Sequence, residues 1–522
     1  MANKKLEARV NIKKQSRWRN KHLTFTQRIE RMIDVWNPKG KPSAEGLKAT
    51  TGAFQSIIRD AAHKGKRVRA LGSGWSSSRV AACEDWIVNT KPLNWIFPLS
   101  ERSLSSDYAG DPKHLLMAQC GVAVLELNNY LAEQGQSLKA SGASNGQTIA
   151  GALSTGTHGS AFKVGAIPNY VVGLHLIVGP SRHVWLERAS YPVTNDAFAA
   201  RLGAELIRDD RLFNAALVSF GSFGIIHLVM IETEPLFLLD AHRLRIPFDD
   251  RLKQAVTTLD FSTLPLPGDS DRLYHLECIF NPYDLDGGAR ATVMYKRDYT
   301  DNYDPPGPNA DGFRPGDDAP GFIGLLSDAV PSLIPTLVNT LIDQIYAPHP
   351  PKTGMLGEIF YNSTIRGKSA AASLGVPQAM AGKALEAALA AHKAHGPFMA
   401  TVALRFIKGS DGLLAFTRYK QTCIVDLDGV LSDRTLRFLD RVPEAFAEAD
   451  IPFTMHWGKL NAYLNPERVR RAYGDDVDRW LASRHTLLDA PSRAVFTNAF
   501  LERCGLDGEP AVWPEPPDRV IA

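Results

Sequence analysis

One twenty-residue stretch, 141–160, constrains the fold more than any other part of the chain. It holds five glycines and seven serines or threonines but only two large apolar side chains, Ile149 and Leu153, so it contributes little to a hydrophobic core. Glycines let a backbone approach a flat ligand with its N–H groups accessible, and short hydroxyl side chains add hydrogen-bonding atoms without bulk. The stretch is not repetitive and strand-like segments flank it, which favours a ligand-binding wall over a flexible linker.

A second glycine-containing turn of the same character lies upstream. The strand-like segment 67–71 leads directly into Gly72-Ser73-Gly74, and a strand that ends in such a turn exposes successive N–H groups suited to a pyrophosphate. The pattern is neither a GxGxxG turn that opens a helix nor a P-loop with its lysine. On its own this turn is a weak signal, and its weight comes from its combination with 141–160.

The overall composition is that of a folded protein of several domains without a nucleic-acid partner. Its 522 residues suggest roughly two to four domains. A hydrophobic content of 44% with 22% charged residues allows a substantial core. The formal net charge of only +3 argues against nucleic acid as the main partner.

Residues 1–35 form a basic N-terminal arm. Ten lysines and arginines but only three acidic residues lie between positions 4 and 34. We interpret the arm as a solvated end of the chain or, alternatively, as a segment that docks on a surface. No apolar segment follows these charges, so no secretory signal is expected.

The cysteines and the most apolar segment bear on the expected compartment. The five cysteines are widely spaced and form neither a disulfide nor a metal-binding pattern, so we expect no metal site and a cytoplasmic location. The most apolar long segment, 321–346, is interrupted by Asp328, Pro331 and Pro335. No integral membrane segment is therefore expected.

The order of predicted elements indicates an α+β fold. Residues 36–236 alternate short strands and helices with glycine turns at strand ends, whereas 237–440 has the pattern of an antiparallel sheet flanked by helices. In this second region we predict a strand over 357–363 and an alanine-rich helix over 370–395. The last segment, 441–522, carries His-Trp-Gly-Lys and then further helices.

Four motifs together resemble the FAD-binding flavoprotein family that includes vanillyl-alcohol oxidase, p-cresol methylhydroxylase (PCMH) and the aldonolactone and alditol oxidases. The motifs are Gly72-Ser73-Gly74 after a strand, Gln147-Thr148-Ile149-Ala150-Gly151 continuing to Gly156-Thr157-His158-Gly159-Ser160, the segment 221–226, and His456-Trp457-Gly458-Lys459. The chain looks most similar to the aldonolactone and alditol oxidase branch, with type II cholesterol oxidase more distant. The resemblance covers 36–236 and 440–505 well and the middle of the chain only loosely.

This resemblance implies a PCMH-type fold and FAD as the cofactor. The FAD-binding domain would comprise 36–236, the cap or substrate domain 237–440, and 441–522 would return to the FAD-binding domain. Three segments would hold the cofactor, and Lys459 would lie near the flavin ring. The implied cofactor-binding residues are Leu71, Gly72, Ser73, Gly74, Trp75 and Ser76; Ser141, Gly142, Ser144, Thr148, Gly151, Ala152, Thr155, Gly156, Thr157, His158 and Gly159; and Gly224, Ile225 and Ile226 at the adenine end.

One residue departs from the family pattern. Many family members have a histidine directly after Gly-Ser-Gly that bonds covalently to the flavin, whereas this chain has Trp75. Tryptophan cannot form that bond, so we expect non-covalent FAD. Because the covalent link usually raises the flavin potential in this family, its loss implies a weaker oxidant.

Four residues are candidates for the chemistry. The family reaction transfers a hydride from a hydroxyl-bearing carbon to flavin N5, which requires a group for the hydroxyl proton and positive charge near the ring. Lys459 is the first candidate, and His456 is either a supporting residue or a core histidine. Arg405 matches the arginine of a Glu-x-Arg pair on a cap strand of the alditol and sterol oxidases, but the glutamate position is Ala403. Glu358 is the candidate for the missing acid.

Three functions remain open at this point. The first is an FAD-dependent oxidoreductase that oxidises a CH–OH group of a small alcohol, polyol or lactone, with O2 or another acceptor reoxidising the flavin. The second is a dehydrogenase or natural-product enzyme for a larger apolar alcohol such as a sterol, and the third is a non-catalytic FAD-fold binding protein. The segment 321–346 is interpreted as a buried cap helix or as a lid that would favour an apolar alcohol. In the first two cases the partner is a small-molecule substrate. The sequence does not determine the oligomeric state.

Overall fold

The computed structural model of the chain describes residues 6–307, 319–361 and 368–511. The chain forms two lobes, an N-terminal lobe (6–236 with 456–511) and a cap lobe (237–455), and each has its own sheets. The strands of the N-terminal lobe are β1 (Arg9–Lys13), β2 (Arg17–Arg19), β3 (Thr26–Arg28), β4 (Arg31–Trp36), β5 (Val68–Leu71), β6 (Trp86–Asn89), β7 (Ile96–Pro98), β8 (Leu115–Gln119), β9 (Gln136–Ser137), β10 (Val171–Ile177), β11 (His183–Glu187), β12 (Glu205–Arg208), β13 (Ile225–Glu232) and β14 (Glu234–Pro235).

Helices cover the sheets of this lobe. They are α1 (Ala44–His63), α2 (Val124–Glu133), α3 (Ile149–Thr155), α4 (Asp196–Leu202) and α5 (Asp210–Leu217). The longest, α1, starts at Ser43, whose side chain accepts a hydrogen bond from the Gly46 N–H, an N-cap that satisfies a free backbone donor. Its apolar face buries Phe54 and Ile58 completely, so packing of one face stabilises it.

Two larger sheets form the framework of the N-terminal lobe, besides the two-stranded pairs β9-β14 and β2-β3. The first has the order β1-β4-β6-β5, with β4 and β5 both parallel to β6. The second has the order β12-β11-β10-β13-β8-β7, and its pairs are antiparallel except for β11 with β12. All seven residues of β10 are buried, which is the pattern of a strand covered on both faces. The core of this lobe therefore lies on both sides of the second sheet.

The cap lobe is organised around one eight-stranded sheet. Its strands are β15 (Phe237–Ile246), β16 (Leu273–Phe280), β17 (Ala289–Asp298), β18 (His349–Met355), β19 (Ser369–Pro377), β20 (Ala400–Lys408), β21 (Gln421–Val430) and β22 (Thr454–Met455), in the order β18-β15-β17-β16-β20-β21-β19-β22. Every pair is antiparallel. The sheet thus continues into the C-terminal part of the chain through β22.

The remaining helices belong to the cap and to the C-terminal return. They are α6 (Asp250–Thr258), α7 (Ala319–Ala329), α8 (Ile334–Ile345), α9 (Leu356–Ile359), α10 (Ala381–His395), α11 (Asp433–Glu448), α12 (Pro466–Tyr473), α13 (Asp476–Leu487), α14 (Ala490–Val495) and α15 (Ala499–Cys504). The expected boundary at 440 lies inside α11, which packs against α10 of the cap. The cap therefore includes the whole of this helix and β22 after it.

The structure corrects two predicted elements. The alanine-rich run that we expected to be helical from 370 forms β19 as far as Pro377, and the helix begins at Ala381. The run lies between β21 and β22 and pairs with both, so sheet pairing overrides the helix propensity of alanine. The strand expected over 357–363 is instead the short helix α9 in its described part, because the Glu358 carboxylate accepts the Met355 N–H at 2.8 Å and caps a helical turn; residues 362 and 363 lie outside the described part.

The basic arm is part of the N-terminal lobe from residue 9 onward. Strand β1 pairs with β4, and β2 and β3 form a hairpin. The side chains of β1 are exposed, but Trp18 and Phe25 are buried in one cluster with Leu71 and Ile87. The hairpin is therefore fixed against the strand that leads into the Gly72 turn.

The apolar segment 321–346 is a bent pair of helices at the edge of the cap. On α8, Ile334, Val338 and Ile342 are buried, while Leu325 on α7 is 73% exposed. Among the described residues no single helix has both the length and the apolar character to cross a membrane, and the pair meets both criteria only together, with a bend of 119°. The segment therefore has one buried face rather than forming the wholly buried helix we considered.

Candidate active site

A cavity of about 380 Å³ lies between the two lobes. Its walls come from the turn 71–76, from the glycine-rich stretch, from cap strands at Ser369, Arg405 and Asp428, and from the His-Trp-Gly-Lys motif. No described residue of the apolar segment 321–346 lines this cavity, but Tyr346 at its end lies close enough to Glu277, Asp428 and Arg405 to interact with their charges. The cavity brings all four motifs together, and the segment 221–226 reaches it through Gly221, Gly224 and Ile226.

The first two glycine motifs pack directly against each other. Thr148 caps helix α3 by accepting the Gly151 N–H. A Cβ at Gly72 would overlap the Thr148 side chain, so only glycine allows this approach. Helix α3 ends at Gly156 with φ +73°, a left-handed conformation that favours glycine.

Two buried polar atoms in this wall have no hydrogen-bond partner. They are Ser73 Oγ and Gln147 Oε1, and both residues line the cavity. Buried polar groups in native proteins are nearly always satisfied, so these atoms fit a polar ligand in the cavity. The wall therefore suits the diphosphate and ring edges of a dinucleotide such as FAD.

The far end of the cavity is held by the segment after α5. Gly224 has φ +96°, and a Cβ there would overlap the Ile177 carbonyl. Arg69 is buried under this end and donates to the backbone carbonyls of Val80, Gly221 and Phe496 among others. Burial without a carboxylate partner lowers the pKa of Arg69 to about 10. The arginine joins four backbone segments around the cavity floor.

The His-Trp-Gly-Lys motif is tied to the first turn and to the cap. The Gly458 carbonyl accepts the Ser77 N–H at 2.7 Å, and the Trp457 carbonyl accepts the Ser78 hydroxyl at 2.6 Å. Just before the motif, β22 pairs with β19 of the cap sheet. These contacts fix Lys459 at the junction of the two lobes.

A cluster of buried charges surrounds Lys459. Its Nζ lies 2.7 Å from Asp426 Oδ1 and 3.7 Å from Asp428 Oδ1. The other oxygen of Asp426 lies 2.9 Å from an Arg405 guanidinium nitrogen, and the Arg405 Nε donates to Glu277 at 2.8 Å. Two cations and three carboxylates therefore meet at the cap end of the cavity.

The pKa shifts in this cluster follow from burial and mutual charge. Burial opposes the ionisation of Asp426, but Lys459 and Arg405 outweigh it and hold the Asp426 pKa far below its ordinary value. Burial likewise opposes the charges on Lys459 and Arg405, but the carboxylates outweigh it and raise the pKa of both. Burial raises the pKa of Asp428. Lys459 is accordingly a permanent cation, a hydrogen-bond donor rather than a proton acceptor.

The imidazoles on the cavity wall are neutral. Burial lowers the pKa of His158 and His22 to about 4, and it lowers that of His456 well below its ordinary value. His456 Nδ1 accepts the Gly458 N–H at 2.9 Å, and its ring packs against Phe416. Its main contacts are those of a supporting residue that shapes the Lys459 loop.

Most of the predicted residues lie on the cavity wall. Those that line it are Leu71, Gly72, Ser73, Gly74, Trp75, Ser76, Gly142, Ser144, Thr148, Gly151, Thr155, Thr157, His158, Gly224, Ile226, Arg405, His456 and Lys459. Those that do not are Ser141, Ala152, Gly156, Gly159, Ile225 and Glu358. Glu358 is also bound to the Tyr303 hydroxyl, so it is not the acid missing next to Arg405.

Sequence reasoning missed the residues that other strands bring to the cavity. Trp18 and His22 come from the basic arm, and Ser369 and Asp428 come from the cap sheet. His22 Nδ1 is 2.7 Å from Ser369 Oγ, which joins the arm to the cap. One feature of the sequence could have revealed Asp428. The apolar strand 421–430 carries two aspartates near its end, and charged residues in a buried strand are usually paired or functional.

A family model described as FAD binding domain matches residues 47–187. This range contains the Gly72 turn and the whole glycine-rich stretch. The chain therefore carries an FAD binding domain. Among the described residues no group of histidines, cysteines and acids is arranged to hold a metal ion.

Curated relatives are similar over part of the chain. A D-arabinono-1,4-lactone oxidase of Eremothecium gossypii is 31% identical over 197 residues, which is 38% of this chain and 32% of the relative. The D-arabinono-1,4-lactone oxidase of Debaryomyces hansenii is 27% identical over 217 residues, or 41% and 36% of the two chains. The chain thus matches about a third of the length of these relatives.

Solved structures share the fold over nearly the whole chain. Cholesterol oxidase from B. sterolicum superposes with a TM-score of 0.68 at 14% identity, covering 95% of this chain and 97% of that one. The xylooligosaccharide oxidase of Myceliophthora thermophila, solved with xylobiose, gives 0.60 at 12% identity, with 95% and 94% covered. Both lobes of this chain therefore have the fold of these two structures, which agrees with the expected α+β class.

Proposed function

We propose that this chain, with its FAD binding domain, is an FAD-dependent oxidase that oxidises a CH–OH group of an oxygen-rich substrate such as an aldonolactone or an alditol. The main observation that supports this proposal is that Lys459 and Arg405 line the same cavity as the two glycine motifs. Two fixed cations beside a cofactor cavity stabilise the oxygen that becomes negative as a hydride leaves. Similarity to lactone oxidases over a third of their length supports the same substrate class.

The chain's own residues divide the work in this proposal. FAD, when bound, supplies a two-electron acceptor. The turn 71–76, Ser73 and Gln147 hold its polar parts, and Lys459 donates a hydrogen bond to the substrate oxygen. Arg405 is fixed by Glu277 and Asp426, so its position costs no reorganisation when charge develops.

The charged end of the cavity favours an oxygen-rich substrate over a sterol. Lys459, Arg405 and Asp428 all line this end, and an apolar alcohol would displace water from these polar side chains without replacing its hydrogen bonds. A fold shared with cholesterol oxidase does not lower this desolvation cost.

We also propose that FAD is bound without a covalent link. Trp75 lies on the cavity wall where the resemblance implies a histidine, and tryptophan offers no nucleophilic nitrogen of that kind. Acid precipitation of the yellow protein should leave the flavin in the supernatant. A yellow pellet would contradict this proposal and direct attention to His22, whose ring centroid lies 6.0 Å from that of Trp75.

The compartment and the electron acceptor are parts of the same proposal. All five cysteines are buried free thiols, which supports a reducing cytoplasm. We propose O2 as the reoxidant. A dehydrogenase would instead keep its flavin reduced for a long time in air.

Anaerobic bleaching of the flavin absorbance tests the activity. The purified holoprotein is mixed without oxygen with D-arabinono-1,4-lactone, xylobiose or cholesterol, and air is then admitted. We expect bleaching by the lactone or the sugar, with stoichiometric peroxide on aeration. Bleaching by cholesterol alone would refute the substrate class, and colourless protein that takes up no FAD would refute the enzyme itself.

A further inference from the structure

The cluster around Lys459 contains three carboxylates, and two of them are held by its cations away from the cavity lining. Asp426 accepts from Lys459 and from the Ser373 hydroxyl, and it pairs with Arg405; its side chain has no exposed surface. Glu277 accepts from two nitrogens of Arg405. Neither acid lines the cavity, so both serve as counter-ions that hold the cations in place.

The third carboxylate faces the cavity. Asp428 follows Asp426 by two positions on β21, so both side chains lie on one face of the sheet. Asp428 lines the cavity, its side chain is 45% exposed, and its nearest cation, Lys459, is 3.7 Å away. The carboxylate is therefore close to the cation without being saturated by it.

Small residues leave room for a ligand beside this carboxylate. In the sheet, Asp428 lies opposite Ala371 on β19 and Thr401 on β20. Ala370, Ala371 and Gly429 all line the cavity around it. A substrate carbon can thus approach the Asp428 oxygens from the cavity side.

We propose that Asp428 is the catalytic residue that accepts the hydroxyl proton of the substrate, which rests on the CH–OH oxidation proposed above. The acid that Ala403 lacks is then supplied by the neighbouring strand: Ala403 lies opposite Asp426, and Asp428 is the next residue on that face. Glu358 is excluded from this role by its contact with Tyr303.

The step balances as follows. The C–H bond breaks and its hydride carries two electrons to the bound flavin, which is the oxidant. The O–H bond breaks and its proton goes to the Asp428 carboxylate, while the carbon–oxygen bond becomes a carbonyl. Lys459 stays protonated and donates to the substrate oxygen throughout. Asp428 afterwards releases its proton to solvent through the cavity.

The surroundings of Asp428 suit a proton acceptor. Burial is the largest influence and raises its pKa, Lys459 and Arg405 oppose this, and Asp426 and Glu277 add to it. Tyr346 is a further titratable neighbour. A carboxylate with a raised pKa is a stronger base toward a hydroxyl than an ordinary one.

Asp428→Asn tests the proposal, with Asp433→Asn as the matched control. Asp433 is an exposed aspartate five residues further along, at the start of α11. With D-arabinono-1,4-lactone or xylobiose as the probe, we expect anaerobic flavin reduction in the Asp428 variant to be about 10²- to 10⁴-fold slower, the usual share of a general base, at unchanged FAD content. The wild-type rate should fall toward the acid end of pH 5.5–8.5, and Asp428→Asn should lose this dependence. The control should match the wild type.

Thermal unfolding gives a readout that does not depend on turnover. At pH 7.5 Asp428→Asn should raise the Tm, because it removes a negative charge from beside Asp426 and Glu277, and the gain should shrink as pH falls and Asp428 becomes protonated. Asp426→Asn should lower the Tm, because it deprives two buried cations of their shared counter-ion.

The outcomes separate the two proposals. A wild-type protein that neither probe reduces overturns the proposed function and, with it, the role of Asp428. A wild type that is reduced, with Asp428→Asn equal to it in rate and pH profile, overturns the role of Asp428 alone. A lowered Tm in Asp428→Asn would make Asp428 a structural counter-ion and would also overturn its role.

Discussion

Acid should unfold this protein well above the pH at which carboxylates titrate. Four histidines away from the cavity wall are buried in the neutral form. Burial lowers the pKa of His275 and His392 to about 4 and that of His227 to about 3, and it lowers the pKa of His175 well below its ordinary value. Each binds a proton in the unfolded chain near its ordinary pKa of about 6.5. Because the unfolded state binds more protons, stability is intact above that pH and is lost as pH falls through it.

The size of the effect follows from linkage. At pH 5.5 each such histidine costs about 1.4 kcal/mol, since the unfolded state is about tenfold favoured by protonation. Four of them remove roughly 5–6 kcal/mol, which is a large part of the ~5–15 kcal/mol that stabilises a typical native protein. Two of the four share a hydrogen bond, His175 Nδ1 to His227 Nδ1 at 3.1 Å, so a proton on either one disrupts the pair.

Urea unfolding of the holoprotein between pH 7.5 and 5.5 measures this loss. Two histidines on α10 allow this loss of stability to be assigned to buried histidines. His392 packs among Tyr283, Phe398 and Phe438, whereas His395 on the same helix is exposed. His392→Phe should reduce the loss over this pH range by about 1.4 kcal/mol, one histidine's share, and His395→Phe should leave it as in the wild type. A pH-independent unfolding free energy, or equal effects of both variants, would refute the reasoning.

Three further predictions concern the cofactor wall and the chemistry. Gly72→Ala places a Cβ against Thr148 and should abolish FAD retention in gel filtration, whereas Gly52→Ala on α1, with open space around its Cβ, should retain FAD and unfold no more easily. Lys459→Met should bind FAD but slow anaerobic flavin reduction by D-arabinono-1,4-lactone at least ~10²-fold, in the range of one lost transition-state donor; wild-type rates would remove Lys459 from the mechanism. Trp75→His restores the imidazole that the resemblance implies, so part of the flavin should stay in the acid-precipitated pellet, and a colourless pellet would show that the position alone does not decide covalency.

The glycine motifs were readable from the sequence because their function depends on local backbone. Two local patterns predict a backbone that binds a ligand, whatever the rest of the chain does. They are the strand followed by Gly72-Ser73-Gly74 and the glycine-rich run with little apolar content. The same holds for the caps of α1 and α3, where Ser43 and Thr148 precede the helix. Local chemistry therefore predicted most of the cofactor wall.

The acid at the cap end could not be read in the same way. Its identity depends on which residue lies opposite Ala403, and that register brings Asp426 and Asp428 from a strand about twenty residues away. The sequence analysis proposed Glu358 as this acid, but the Glu358 side chain caps its own helix. Strand register is set by tertiary pairing. A motif comparison along one strand therefore does not detect a carboxylate that a neighbouring strand supplies.

The basic arm and the alanine run were misjudged for a related reason. Charge at the chain start indicated a solvated segment, yet two aromatic residues, Trp18 and Phe25, anchor the hairpin. Alanine at 370–372 favours a helix on its own, yet the run completes a sheet between two strands. Long-range packing decided both outcomes.

The contact between the Gly72 turn and the Lys459 loop also sets the order of events during synthesis. Ser78 and Trp457 are 379 positions apart, and the entire cap is translated between them. At the usual ~5–20 residues per second, the ribosome needs about 20–80 seconds to make that interval. During this time the first glycine wall has emerged without its partner. The cavity can close only after residue 459 has left the ribosome, so cofactor capture is a late event in the maturation of this chain.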